Sequence, residues 1–253
     1  MTGQRCLHFK YLPMGMRVLF TSTLIVLGMG YLFAMIHVFA SHAGRDGNPA
    51  LSVNDLIIAY SGSQSDTRLE GALKGPMSKM LPTEEKNEII AWVRRGADPK
   101  EFETKGVQAI LTKRCITCHS GKNPHIPNLS EFEGVSRVVE KDTGMDIFTL
   151  VRVSHIHLFG LTFIFFIVSS IFCHSYIRPL WLKCLIIVIP FFAIICDITS
   201  WYLTKIYTPF AWVVLFSGGF MGLSFAVQFL TSLYQMWLYK PAQTIIDNDG
   251  AVS

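Results

Sequence analysis

Cys115-Ile116-Thr117-Cys118-His119 is the stretch that sets the chemistry of this chain and, with it, the fold. Two thiols at this spacing can add across the two vinyl groups of one haem, and the adjacent imidazole is then delivered to the iron as axial ligand. A thioredoxin-like thiol pair or half of a zinc site would use the same two cysteines. No second Cys or His pair follows at zinc spacing, however, and no βαβ pattern surrounds the stretch. The reading is covalent haem c, with Cys115 and Cys118 as anchors and His119 as proximal ligand.

Around this motif the chain resembles c-type cytochromes, a family whose haem is attached outside the bacterial cytoplasm. The resemblance implies that residues near 115 face a periplasm-like compartment. In small cytochromes of the family the motif helix comes first, and a methionine loop with a terminal helix comes last. Here the order is reversed: Gly75-Pro76-Met77-Ser78-Lys79-Met80-Leu81-Pro82 and a helix ending Trp92-Val93-Arg94-Arg95-Gly96-Ala97 precede the motif. That order resembles a circular permutation, which keeps the crossing of the two helices because packing depends on contact and not on chain order. Met80-Leu81-Pro82 and Trp92 to Ala97 also resemble planctomycete-type cytochrome c domains, over about residues 66 to 120. By this resemblance the sixth iron ligand is Met77 or Met80, a thioether that raises the haem potential and suits electron transfer. Met145, and His125 as a lower-potential bis-histidine alternative, compete for the same role.

Composition places this domain on a membrane. Of 253 residues 51% are hydrophobic, 16% charged and 13% aromatic, too apolar for a soluble protein of this size. Four apolar stretches, 18–40, 153–177, 184–203 and 209–239, each reach the roughly 20 residues that a bilayer-spanning helix needs. The fold expected is all-α: four transmembrane helices, with a helical cytochrome c-like domain of residues 41–152 inserted between the first two, and tails at 1–17 and 240–253. Ser41-His42-Ala43 resembles a signal cleavage site, but the preceding apolar run exceeds the 7 to 15 residues of a signal core, so the first span is expected to be retained.

Charge gives the orientation. Residues 41–152 hold fifteen basic and fifteen acidic side chains, so the net charge of +4 is no nucleic-acid patch. The remaining basic residues are Arg5, Lys10, Arg17, Arg178, Lys183, Lys205 and Lys240. With both termini cytoplasmic, only Lys205 falls outside, as the positive-inside rule asks. A multi-pass protein of a bacterial inner membrane with a periplasmic haem domain is the expected topology.

Within residues 41–152 the run Leu56 to Tyr60 reads as a buried turn or strand, and Arg68 to Leu73 as a short helix. Thr83, followed by Glu84, Glu85 and Lys86, opens a helix in capping style. A single helix from about Phe102 to Lys113 leads into the haem motif, and Glu131 to Glu140 forms a surface helix.

A second cluster lies in the spans. His37, His155 and His157 sit near outer helix ends, and Asp197 is the sole acidic residue in any span; ionisable groups there are functional candidates by default. Three readings apply. A haem b held by His37 and His155 or His157 would make a path from quinol to the external haem, with Asp197 taking a proton. A Cu, Fe or Zn ion could use His37, His155 or His157 with Asp197. Interhelical polar packing needs no cofactor. Residues 155 and 157 stand about 200° apart on a helix, so only one should face the bundle. Gly30 and Gly160 would allow a flat macrocycle to approach. His8 and His174 read as interfacial, and Cys6, Cys173, Cys184 and Cys196 as small apolar fillers. Gly218 and Gly222 mark a close-packing face, and Trp201, Tyr202, Tyr207, Trp212, Trp237 and Tyr239 an interfacial belt.

The function expected is single-electron transfer at the periplasmic face, by a redox protein rather than a stand-alone enzyme. The alternative is a haem-bearing accessory subunit of a larger respiratory or metal-oxygenase complex. Its partners would be lipid, other redox proteins or subunits, and quinol.

Overall fold

The computed structural model describes residues 7–63, 66–75, 77–123 and 126–239. His125, Cys6 and the tail from Lys240 lie outside the described residues. The described chain is all-helical: α1 (Met14–His42), α2 (Val53–Ser61), α3 (Arg68–Lys74), α4 (Thr83–Arg94), α5 (Pro99–Thr104), α6 (Val107–Arg114), α7 (Phe132–Ser136), α8 (Ile147–Phe172), α9 (Leu180–Ile206) and α10 (Phe210–Trp237). A 3-10 turn at Phe9–Tyr11 precedes them. There are two compact units, one of Met1–His37, Ile147–Leu203 and Pro209–Ser253, the other of Val38–Asp146 and Thr204–Thr208.

The first is the membrane unit. Its helices α1, α8, α9 and α10 are long and apolar enough to cross a bilayer. Their ends depart from the apolar runs, because helical geometry continues past the last uncharged residue. Thus α8 begins at Ile147, six residues before the uncharged run, and carries Arg152 inside it. It stops at Phe172 rather than 177, where the Lys183 ammonium donates to the carbonyls of Cys173 and Ser175 at 2.7 and 2.8 Å. A cation is favourable at such a helix C-terminus, which leaves carbonyls without partners.

Pro190 lies inside α9 and has no N–H to give the Ile186 carbonyl one turn earlier. Two side chains of α10 supply the missing donors: Ser224 Oγ at 2.9 Å and Gln228 Nε2 at 3.1 Å. Gln228 Oε1 in turn accepts from Ser169 Oγ of α8 at 2.9 Å. One proline therefore fixes where three helices exchange hydrogen bonds, satisfying inside the protein a carbonyl that lipid cannot satisfy. At α1, Tyr31 stacks on Phe225 with centroids 4.5 Å apart, and a Cβ on Gly28 or Gly222 would touch Phe229 or the Tyr31 hydroxyl. The close packing expected at Gly222 is thus made within the chain, while Gly218 and Gly219 face open space.

The second unit is built on a core of Trp92, Phe102, Ile89, Val107 and Leu111, each at most 2% exposed. Burying a large apolar side chain is worth about 1.5 to 3 kcal/mol, so α4, α5 and α6 hold each other chiefly through these residues. Several expectations are corrected here. Leu56 to Tyr60 belongs to a helix, α2, started by a reciprocal box in which Asp55 N–H donates to Ser52 Oγ and Ser52 N–H to the Asp55 carboxylate. Thr83 makes no cap; it is the first helical residue, after Pro82. The long helix into the motif is broken in two because Gly106 takes φ +78°, a left-handed turn that separates α5 from α6. The surface helix expected over Glu131 to Glu140 shrinks to the five residues of α7.

Candidate functional site

Chain order brings the haem-type motif directly after α6. Cys115 closes that helix, its N–H donating to Leu111 at 2.8 Å, and Cys118 and His119 continue the turn with N–H bonds to the Cys115 carbonyl at 3.1 and 2.9 Å. Both cysteines are free thiols, Cys115 half-buried and Cys118 exposed. Burial, and secondarily the neighbouring Cys118, holds the Cys115 thiol above its ordinary range, so it stays protonated at neutral pH.

His119 is half-buried and fixed at both of its polar ends. Its carbonyl accepts from Leu129 N–H at 2.9 Å, and its Nδ1 lies 2.9 Å from the Pro127 carbonyl. A carbonyl only accepts, so Nδ1 carries the proton and donates. Nε2 is then the lone-pair nitrogen, the tautomer that an axial iron ligand requires. The donor set and its protonation fit a covalent haem.

The structure also ties the methionine loop to the motif. Glu85, three residues after Pro82, accepts from Arg114 Nε and Nη2 at 2.7 and 3.0 Å. Arg114 is the residue before Cys115, so the start of α4 and the start of the motif are pinned together. Met77 and Met80 are 38% and 62% exposed, and they are the only large apolar residues exposed among the described residues from 43 to 146. Met145 is held elsewhere in the unit: its N–H donates to Ala59 and its carbonyl accepts from Lys205 Nζ at 2.8 Å.

The intramembrane candidates are not gathered into one centre. Among the described residues no three His, Cys, Asp or Glu side chains converge as a metal ion would need. Each of the two α8 histidines bonds through Nδ1 to a carbonyl of its own helix, His155 to Arg152 at 3.2 Å and His157 to Val153 at 2.9 Å. They point apart, as the two-residue spacing demands. His155 packs edge-on to exposed Phe159, while His157 packs edge-on to the indole of Trp201 at 5.2 Å. His37 is exposed on α1, and no atom would meet a Cβ on Gly30 or Gly160. Asp197 is 7% exposed, one turn before Trp201 on the buried face of α9.

Two sequence expectations change. Trp201 is no interfacial residue but is 6% exposed inside the bundle, and Tyr202 shares a 2.9 Å hydrogen bond with Ser154. His8, expected at the interface, is fully buried, with Nε2 3.3 Å from Gln235 Oε1 and Nδ1 accepting from Lys10 N–H. The reason lies in the 3-10 turn, which folds His8 and Phe9 onto the end of α10; a short polar tail gives no periodic signal of such docking.

Comparison with known proteins places the membrane half. Residues 144–243 match the transmembrane helical domain family Aq_1264_TM. The match starts within three residues of α8 and covers α8, α9 and α10, leaving α1 and the haem-motif region outside it. No curated protein and no solved structure matches the chain. The chain is a multi-pass membrane protein whose last three candidate spans are similar to a known transmembrane helical domain.

Proposed function

We propose that this protein is a membrane-anchored c-type cytochrome that relays single electrons at the periplasmic face of a bacterial inner membrane. The observation that carries the reading is the hydrogen bond from His119 Nδ1 to the Pro127 carbonyl, which orients the imidazole and reserves Nε2 for a metal. When bound, haem supplies an iron that changes its oxidation state by one electron. The chain's own part would be to hold it: Cys115 and Cys118 would anchor the macrocycle, and His119 would ligate the iron through Nε2. Met80 is the preferred second ligand, because it is the more exposed of two methionines on a loop that the Glu85–Arg114 pair pins to the motif. Helices α1 and α8 to α10 keep the electron carrier at the membrane surface.

The test is pyridine haemochrome analysis of the full-length protein, made in a host that matures c-type cytochromes. One haem c per chain is expected, with none in the Cys115→Ala, Cys118→Ala double variant. A purified, folded protein without haem c would end the reading. In the haem-loaded protein, the far-red sulfur-to-iron absorption band is expected to vanish in Met80→Ala and to persist in Met77→Ala. Copurification of stoichiometric partners would identify the protein as the relay subunit of a larger complex.

A further inference from the structure

One face of α10 is polar through most of its length although it lies inside the membrane unit. Ser224, Gln228, Ser232 and Gln235 follow at steps of four, four and three residues and are 5%, 0%, 0% and 8% exposed. Moving away from Gln235, the same face continues through Met221 to Ser217, 7% and 5% exposed. From Ser217 to Gln235 the stripe rises about 27 Å, close to the thickness of a hydrocarbon core.

Helix packing accounts for only part of this stripe. Gln228 and Ser224 have their partners, but the Ser232 hydroxyl is buried without one, and so is that of Ser175, which is 0% exposed beyond the end of α8. A serine in a helix ordinarily returns its hydroxyl to a carbonyl of the preceding turn; Ser170 does so, to Phe166 at 2.6 Å. Ser232 does not, and a buried hydroxyl with no protein partner is a place for water.

One end of the stripe meets an ionisable group, and another such group lies at the depth of the far end. At the Gln235 end stands His8. Burial, above all, holds it below its ordinary value, opposed by the bond to Gln235 and reinforced by the neighbouring Lys10 and Lys183. At the depth of the other end lies Asp197, buried on α9. Gln228 touches the carbonyl of Ile186, and α9 and α10 run in opposite directions through a short connection. Ser217 lies eleven residues before Gln228 and Asp197 eleven residues after Ile186, so the antiparallel register sets the two at one depth.

We propose that this stripe is a hydrated proton path, entered at His8 and Gln235 and leading past Ser232, Gln228 and Ser224 to Asp197. Protons move along it between water, hydroxyl and imidazole groups, with no bond made or broken other than O–H and N–H. Met221, the one apolar member, is an unbranched thioether that can swing aside. The path does not depend on the haem reading.

The test follows the acid C=O stretch of Asp197 by infrared spectroscopy in the full-length protein in lipid nanodiscs, transferred from H2O to D2O at mildly acidic pH. The band is assigned by its loss in Asp197→Asn. In the unaltered protein it should shift to the deuterated position within the mixing time. Gln228→Leu and Ser232→Ala should each slow the shift at least tenfold. The Ser232 hydroxyl has no partner in the fold, so Ser232→Ala removes it without adding bulk, and a structural role alone predicts no change in rate. Equal rates in all variants, or no exchange in the unaltered protein, would overturn the path. Absence of an Asp197 acid band at any pH would remove its end point.

Discussion

Lys205 shows how a single side chain resolves an apparent breach of a rule. Apart from those of residues 41–152 it is the one basic residue expected on the outer side, and its ammonium donates to the carbonyls of Tyr60, Thr143 and Met145 at 2.8, 2.9 and 2.8 Å. The charge is there to tie two chain segments, one at Tyr60 and one at Thr143 to Met145, to its own. Gly62 and Gly144 make room for this knot: both take positive φ, +79° and +71°, and their amides approach so closely that a Cβ on either would strike the backbone of the other segment. Lys205→Met leaves three carbonyls without their donor. Hydrogen bonds to charged groups are worth about 1.5 to 3 kcal/mol each and are not additive, so a loss of about 2 to 4 kcal/mol is expected. It is measured as the denaturant midpoint for loss of protease resistance in residues 43–146, with Lys205→Arg as the milder variant.

Among elements, the crossing of α4 and α6 matters most for the candidate site, because it joins the methionine loop to the Cys115–His119 motif. Glu85 is held below its ordinary carboxylate value chiefly by the hydrogen bond from Arg114, helped by the charges of Arg114 and Lys113. A carboxylate with a depressed folded value stabilises the fold above its unfolded value, and this contribution is lost as pH falls through the folded one. The difference in denaturant midpoint between the unaltered protein and Glu85→Gln is therefore expected to be full above about pH 5 and to shrink steadily below it. A difference independent of pH would deny the pair its role in the crossing.

The same scale shows what a sequence discloses and what it hides. The four long apolar helices, the α4 face of Ile89, Trp92 and Val93, and the motif after α6 were all legible, because each depends on local spacing. The box at Ser52, with Asp55 three residues on, was legible too but was outweighed by the glycine and serine around it, whereas the box at Thr67 starts the short helix expected from Arg68. Hidden were the bonds that need the fold: Pro127 on His119, Arg114 on Glu85, and α10 answering for Pro190. None of these pairs has a spacing that repeats, and each joins residues whose meeting is decided by how the chain turns between them.

For the whole molecule, the two units and the family match divide the chain at nearly the same place, near residue 146. Loop charge predicts the sidedness. Reporter fusions at Arg178 and after Tyr239 are expected to be active only in their cytoplasmic form, and a fusion at Gly121 only in its external form. The opposite pattern would place the haem motif in a reducing compartment and dispose of the proposed function.

The pairing of α1 with α10 has a further effect on how the protein is made. Tyr31 stacks on Phe225, Arg17 donates to the Met236 carbonyl and lies 4.4 Å over the Trp237 ring, and that indole donates to Thr21. Thus α1 finds most of these partners in a helix that is made much later in synthesis. Until α10 is in place, α1 stands in the lipid with an unmatched arginine and tyrosine, open to chaperones and membrane proteases. A chain cut short before Trp237 would keep that exposure, so closing of the bundle hides what an interrupted chain would show.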